Sequence, residues 1–466
     1  MAPKTLFDKL WDSHVVVDEG DGFALLHVDR QVIVDLNGAA FPTLDRRGLS
    51  VRNPELTFAT ADHTVETDPQ ELAKTPGGSR FVQELREGTA RHGIHFFDGG
   101  AAGNGIVHVV APEMGLVLPG TTVTVGDSHT CTNGALGALA WGVGQGEIVH
   151  ILASQTTRQQ RPRTMRIRLE GGPGPGIVAK DIILHLIGKL GVRAGQGYAV
   201  EYAGSTIAAL PMEGRFTLCN MSVEFGARFG FIAPDETTYA YLRGRPYAPE
   251  GEMWVRAEAY WRTLPSDPDA QFDREEMIDV SALSPQVTWG NSIDAVLSIE
   301  EDIPDPAAEP DPERRAEMLQ WLDYMGLAPG RPIEGLPIDR VFIGSCTNSR
   351  ISDLREAAAI VEGRHVAANV TAIMVPGSAL VKRQAEAEGL DTIFKRAGFS
   401  WREPGCSMCL GFNGDIARPG ERVVSTSNRN FPGRQGPGSR THLASPLVAA
   451  ASACTGVITD PRKLVA

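Results

Sequence analysis

The most regular alternation of apolar and polar positions lies in the last third of the chain. Arg340-Val-Phe-Ile343 is a short continuous apolar run of the kind that fills a buried strand. After the turn Gly344-Ser-Cys-Thr-Asn, residues Leu354, Ala357, Ala358 and Val361 recur at i, i+3, i+4 and i+7, which predicts a helix with one apolar face. Asp353 falls early in that helix, where an acid suits the dipole, and Gly363 suits its end. Val370-Thr-Ala-Ile-Met-Val375 predicts the next strand, and Pro376-Gly-Ser378 the turn into another helix. Such βαβα order predicts a parallel sheet with helices on both faces. Ligands of these sheets bind at the carboxyl ends of strands, and Cys346 falls at one such end.

The N-terminal third repeats the pattern. Thr121-Thr-Val-Thr-Val125 reads as a strand and Gly126-Asp-Ser-His-Thr130 as the turn behind it. The small-residue stretch through Gly134, Gly137, Ala138 and Trp141 to Leu152 reads as one helix. An internal Gly costs a helix about 1 kcal/mol relative to Ala, so several together imply something packed closely on the backbone. Either a tight helix–helix contact or a cause tied to a site accounts for that. Further on, Met165-Arg-Ile-Arg-Leu169 reads as a strand, closed by the turn Gly171-Gly-Pro-Gly-Pro-Gly176. Pro304-Asp-Pro-Ala-Ala-Glu-Pro-Asp-Pro312 is a stiff polar linker ahead of a charged helix near Glu313.

The length, 466 residues, predicts roughly three domains at about 150 residues each. The expected boundaries are 1–165, 166–292 and 293–466, with the second domain the smallest. The first and third are expected to share a parallel-sheet plan. With 44 Lys and Arg against 57 Asp and Glu, the net charge of −13 opposes binding to nucleic acid or an anionic membrane. It leaves room for a small di-acid held by a local Arg cluster. No apolar run approaches the ~20 residues of a membrane span. The opening Met1-Ala-Pro-Lys-Thr-Leu-Phe lacks the apolar region of a signal peptide, so the expected location is cytoplasmic. Six Cys are too few for a disulfide framework at this length, and in a reducing compartment they read as metal ligands or buried small residues.

The sharpest chemical signal is Pro404-Gly-Cys406-Ser-Met-Cys409-Leu-Gly. A lone C-x-x-C serves redox chemistry, zinc or an iron–sulfur cluster. A zinc ribbon needs a second C-x-x-C, which the chain lacks, and a thioredoxin-like motif belongs to a much smaller domain. Cys346, on its own strand-end turn, is the remaining candidate third thiol. Three thiolates suit a [4Fe–4S] cluster with one iron free of protein ligands, able to act as a Lewis acid on a hydroxyl.

Gly344-Ser-Cys-Thr-Asn-Ser349, Pro404-Gly-Cys-Ser-Met-Cys409 and Ser427-Asn-Arg-Asn-Phe431 through Gly433-Arg434 resemble the aconitase superfamily, most closely its isopropylmalate dehydratase large-subunit branch. Asp62-His63, Gly105-Ile-Val-His108, Gly126-Asp-Ser-His129, Cys219-Asn-Met221, Pro285-Gln-Val-Thr-Trp-Gly290 and Thr441-His-Leu-Ala-Ser445 follow in family order. The resemblance covers nearly the whole chain. It implies three α/β/α domains with mainly parallel sheets around a central iron–sulfur cleft. It further implies a hydro-lyase that removes and re-adds water on a hydroxy di-acid, interconverting 2- and 3-isopropylmalate in leucine biosynthesis. A separate small subunit carrying the swivelling domain is implied as partner, since the family's proton-abstracting Ser lies there. The alternatives are a paralogue acting on a benzyl-, methyl- or homoaconitate-type substrate and, from another class, a non-catalytic RNA-binding relative.

By the same resemblance, Cys346, Cys406 and Cys409 are the cluster ligands, one [4Fe–4S] per subunit. Asp62 with His63 and Asp127 with His129 form carboxylate–imidazole pairs, which fix a His tautomer and suit protonation of a leaving hydroxyl. His63 is favoured for that proton, with His108 and His129 in support. Asn220 and Glu224, four residues apart, share one face of a helix and steady the cluster and its hydroxyl. Ser128, Asn348 and Asn428 line the cluster environment. Arg429 and Arg434 clamp a substrate carboxylate or orient acidic side chains, since the guanidinium fork fits carboxylate oxygens bidentately. Read without the family, Asp-His pairs are structural hydrogen bonds and the two arginines a solvated turn. Cys131, Cys219 and Cys454 read as structural.

One segment departs from the family. Where its members usually continue His-Leu-Val-His-Glu-Val-Thr-Ser-Pro-Gln-Ala-Phe, this chain has Gln31-Val-Ile-Val-Asp-Leu-Asn-Gly-Ala-Ala-Phe41. The second His and the Gln beside the substrate are gone. Thr64 and Asn133 also differ from the usual residues. These changes bear on which malate is accepted more than on the cluster.

Overall fold

The computed structural model describes residues 2–72, 74 and 78–464, which form two compact units. The first comprises Met1–Val65, Leu72–Gly172 and Arg193–Asp279; the second comprises Glu66–Glu71, Pro173–Val192 and Val280–Ala466.

The first unit holds a five-stranded, all-parallel sheet. Its spatial order is His95–Phe97, Thr57–Thr60, Arg30–Val34, Thr122–Val125, Leu139–Gly142. Every residue of Thr57–Thr60 and Thr122–Val125 is buried, as expected of parallel strands covered on both faces. Their β-branched side chains suit that pleated, doubly buried setting. The same unit contains a second parallel sheet, Phe229–Ile232, Tyr198–Ala203, Arg163–Glu170, Arg274–Asp279, and a small antiparallel one of Val15–Gly20, Phe23–His27 and Thr156–Gln160.

The second unit holds another five-stranded parallel sheet, in the order Ser400–Trp401, Thr371–Met374, Arg340–Ile343, Arg422–Ser425, Arg440–Leu443. The predicted helix is Ile351–Val361, with Leu354, Ala357, Ala358 and Val361 all buried. Asp353 caps it by accepting the Arg350 N–H at 2.9 Å. Numbered along the chain, both five-stranded sheets run 3-2-1-4-5. Each reverses direction between its first and fourth strands, where open parallel sheets place their ligands.

The stretch read as one helix to Leu152 is three elements instead: a 3₁₀ segment Ser128–Leu136, the strand Leu139–Gly142 and the helix Gln145–Ser154. Gly137 ends the 3₁₀ segment at φ +75°, a left-handed conformation that β-carbons disfavour. A Cβ on Gly134 would lie 1.9 Å from the Gly230 carbonyl oxygen. Gly134 therefore lets this turn touch the backbone of the strand Phe229–Ile232.

Candidate active site

In the first unit the ends of three neighbouring strands carry the chemistry. Asp35 follows Arg30–Val34, Asp62 and His63 follow Thr57–Thr60, and Asp127 to His129 follow Thr122–Val125. Asp62 is buried, and its Oδ1 lies 2.5 Å from His63 Nδ1 while its Oδ2 accepts the Val107 N–H at 2.8 Å. Burial pushes the Asp62 carboxyl up, against the pull of His63. The other nitrogen of His63, Nε2, lies 3.3 Å from Asp127 Oδ2. An imidazole with a carboxylate on each nitrogen donates to both only when doubly protonated.

Asp127 is the hub. His108 Nε2 lies 2.7 Å from its Oδ1, and the backbone N–H of His129 donates to the same oxygen at 2.8 Å. Burial alone would push this carboxyl up, but the donors from His108, His129 and His63 outweigh it and hold the group well below the usual range. Glu224 Oε1 lies 2.6 Å from His129 Nε2. A cleft of about 320 Å³ opens beside this group, lined by Gly126, Asp127, Ser128, Gly142, Val143, Val223 and Arg228. Gly142 must lack a side chain there, because its Cβ would lie 2.5 Å from the Asp127 carbonyl oxygen.

In the second unit the thiols gather at strand ends. Cys346 follows Arg340–Ile343, while Cys406 and Cys409 follow Ser400–Trp401 on a 3₁₀ turn. All three are buried and none forms a disulfide. Ser345 Oγ lies 3.2 Å from Cys409 Sγ and 4.0 Å from Cys346 Sγ. Asn428 spans the same pair: its Nδ2 donates to Cys346 Sγ at 3.3 Å and its Oδ1 lies 3.6 Å from Cys409 Sγ. Met408, between the two paired cysteines, packs into an apolar cluster with Phe342, Ile373 and Val423, which anchors the turn to the sheet. Among the described residues, four non-glycines have positive φ; two of them, Ser345 at +77° and Ser407 at +47°, each adjoin a predicted ligand. Such strain persists only where the surroundings enforce it, and it collects at functional sites. Here Asp415 enforces it at Ser407, accepting from Ser407 Oγ at 2.7 Å and Thr67 Oγ1 at 2.6 Å.

The remaining predicted residues divide between the two units. Asn220 ends the helix Met212–Asn220, and Glu224 lies in the 3₁₀ turn that continues it. The Asn220 amide donates to Thr132 Oγ1 at 2.8 Å, and its carbonyl faces Cys131 Sγ at 3.6 Å. Cys131 and Cys219 are buried in the first unit. Asn348 Nδ2 donates to Asp353 at 2.9 Å, while its Oδ1 is buried without a hydrogen-bond partner. Arg429 and Arg434 are half-buried in the loop before Arg440–Leu443, and the Arg434 guanidinium lies 5.6 Å from the Phe431 ring centre.

Sequence reasoning missed Asp35, which lies inside the departing segment. It is fully buried, accepts from the N–H groups of His63 and Thr64 at 3.2 and 2.7 Å, and accepts from Thr64 Oγ1 at 2.6 Å. Burial works against it, yet His63 and Thr64 hold its carboxyl down at about 2. The signal was available: an acid directly after the sheet's first strand, at the switch point. Asn37 was missed as well. Its Oδ1 accepts the Val34 N–H at 3.2 Å, and a Cβ on Gly126 would lie 2.2 Å from that oxygen. The departing segment is therefore built into the site.

Residues 8–456 match the profile of the aconitase family (aconitate hydratase). The chain is 56% identical over 462 residues to the 3-isopropylmalate dehydratase large subunit 1 of Bradyrhizobium diazoefficiens, covering 99% of this chain and 97% of that protein. Among solved structures it resembles the holo form of aconitase X from Thermococcus kodakaraensis, with 12% identity, coverage of 91% and 88% of the two chains, and a TM-score of 0.46.

Proposed function

The chain belongs to the aconitase family, and from that premise we propose that it is the large subunit of a [4Fe–4S] hydro-lyase that interconverts 2- and 3-isopropylmalate by dehydration and rehydration. The observation that carries the reading is the set of three buried, unbridged thiols at the ends of the first and third strands of one sheet, two of them joined through Asn428 and Ser345. The choice of isopropylmalate rests on the relative at 56% identity.

Aconitase-family enzymes carry a [4Fe–4S] cluster, and the residues here fit one. Three soft sulfur donors suit iron, the Asn428 Nδ2 donating to the Cys346 sulfur suits a charge there, and the unpartnered Asn348 oxygen lies two residues from Cys346. Cys346, Cys406 and Cys409 would hold it, and when bound it supplies a Lewis-acidic iron that polarises the substrate hydroxyl. The chain's own residues then carry the proton. His63, held between Asp62 and Asp127, gives its Nε2 proton to the departing hydroxyl and recovers one on rehydration. Asp62 keeps the ring oriented through Nδ1. His108 and His129 fix the Asp127 carboxylate, and Glu224 orients His129 in turn. Asn220, Asn348 and Asn428 steady the cluster surroundings, Ser128 faces the cleft, and Arg429 and Arg434 grip substrate carboxylates.

The base that takes the carbon-bound proton belongs to a separate small subunit, the partner that the relative's designation as a large subunit calls for. The reading places the enzyme in the cytoplasm, arranged as three family domains with boundaries near residues 165 and 292. Among the described residues no helix is long and apolar enough to cross a membrane. The test is co-expression with a small subunit, anaerobic reconstitution, and assay of unsaturated-acid formation across substituted malates. Turnover of isopropylmalate ahead of benzyl- and methylmalate supports the reading; turnover of only the other malates removes it.

A further inference from the structure

Lys180, near the start of the helix Ala179–Leu190, has no solvent exposure. An ammonium withdrawn from water costs several kcal/mol unless acceptors replace its hydration, so a buried lysine persists where its acceptors matter. Its Nζ donates to the Thr426 carbonyl at 2.9 Å and to the Ser427 carbonyl at 2.6 Å. These carbonyls belong to the turn that follows Arg422–Ser425. That turn is bonded to both cysteine-bearing turns. Thr426 Oγ1 donates to the Gly344 carbonyl at 3.0 Å and accepts the Gly344 N–H at 2.9 Å, two residues before Cys346. Gln435 Nε2 donates to Ser425 Oγ at 3.1 Å and to the Met408 carbonyl at 3.0 Å, between Cys406 and Cys409. The next residue after Ser427 is Asn428, whose amide meets the sulfurs of Cys346 and Cys409. The peptide plane between Ser427 and Asn428 sets the direction in which the Asn428 side chain leaves the backbone.

We infer that Lys180 is a positioning residue for the cluster: by holding the Thr426 and Ser427 carbonyls it sets how Asn428 meets the sulfurs, and so how firmly the three thiolates retain iron. The inference rests on the cluster reading above. It assigns a task to a charge that the proposed proton chemistry leaves unused.

The test compares the full chain with Lys180→Met, which removes the ammonium at similar length, and Lys180→Gln, which keeps an amide donor group. Each protein is reconstituted without oxygen and its iron and sulfide are counted. Iron release to a ferrous chelator in air is then timed, and the cluster-free proteins are melted. The expected result is iron release roughly 10–100-fold faster in Lys180→Met and less accelerated in Lys180→Gln, with cluster-free Lys180→Gln melting as the parent does. If Lys180→Met fails to fold, Lys180→Gln decides by the same comparison. Release at the parental rate overturns the role of Lys180 alone, as does faster release that merely tracks a lower cluster-free melting temperature. A parent chain that takes up no cluster overturns the proposed function, and this inference with it.

Discussion

The two five-stranded sheets share one strand order yet carry opposite kinds of chemistry. In the first unit the strand ends hold carboxylates and imidazoles: Asp35, Asp62, His63 and Asp127. In the second the equivalent ends hold sulfur and amide: Cys346 behind the first strand, Asn428 behind the fourth, and Cys406 behind the third. The backbone plan delivers side chains to a switch point, and the residue types placed there decide the reaction. The electrostatic solutions differ too. The acids of the first sheet are surrounded by donors, so the carboxyls of Asp35 and Asp127 sit below the usual range. In the second, the thiols of Cys346 and Cys409 meet the Ser345 hydroxyl and the Asn428 amide.

The contrast breaks most sharply at the cysteines. Cys346→Ser is expected to abolish activity and cluster uptake together, because two remaining thiolates leave a second iron without a protein ligand. Iron and sulfide counts alongside turnover check this, and a fully active Cys346→Ser would end the division of labour between the sheets. His63→Asn is expected to lower turnover by roughly 10²–10⁴-fold, the usual contribution of a general acid, while cluster content stays at the parental level. Loss of the cluster in His63→Asn would show that the first sheet does more than move protons.

Two buried carboxyls sharpen the comparison through pH. Asp181, in the second unit, accepts the N–H groups of Gln286 and Val178, and burial pushes it up to about 7. A carboxyl raised in the folded state is protonated there below about 7, so stability falls as pH rises through that value. The full penalty above it is at most about 4 kcal/mol. Asp181→Asn should therefore gain on the parent as denaturant titrations move from pH 5 to pH 9. Glu201 in the first unit is raised likewise, so the difference between variant and parent is the quantity to read. Asp35 shows the reverse sign. Its depressed value gives stability that is present above the ordinary carboxyl range and is lost as pH falls through about 2. The difference amounts to about 2 kcal/mol. Asp35→Asn should lose about that much at neutral pH and converge on the parent in acid. A constant gap at every pH would show that the hydrogen bonds of Asp35, rather than its charge, hold the turn at His63.

Much of this was legible in the residues, for identifiable reasons. Arg340–Ile343 and Ile351–Val361 announced themselves because a buried strand and a one-faced helix leave unmistakable periodicities. The cysteine turns were legible through spacing and resemblance. The stretch from Ser128 to Ser154 was not, because Gly134 answers to a strand far along the chain, Phe229–Ile232, and local pattern carries no record of that contact. Asp35 escaped for a related reason. Its segment departs from the family, and its role depends on the N–H groups of His63 and Thr64, which only the folded sheet brings alongside.

The central claim is that three thiols on one sheet hold an iron–sulfur cluster. Its most direct test is chemical and spectroscopic analysis of the full chain after anaerobic reconstitution. The account predicts about four iron and four sulfide per chain, with an EPR signal that develops when one iron is removed by oxidation. A single tightly held zinc or iron with no inorganic sulfide would contradict it.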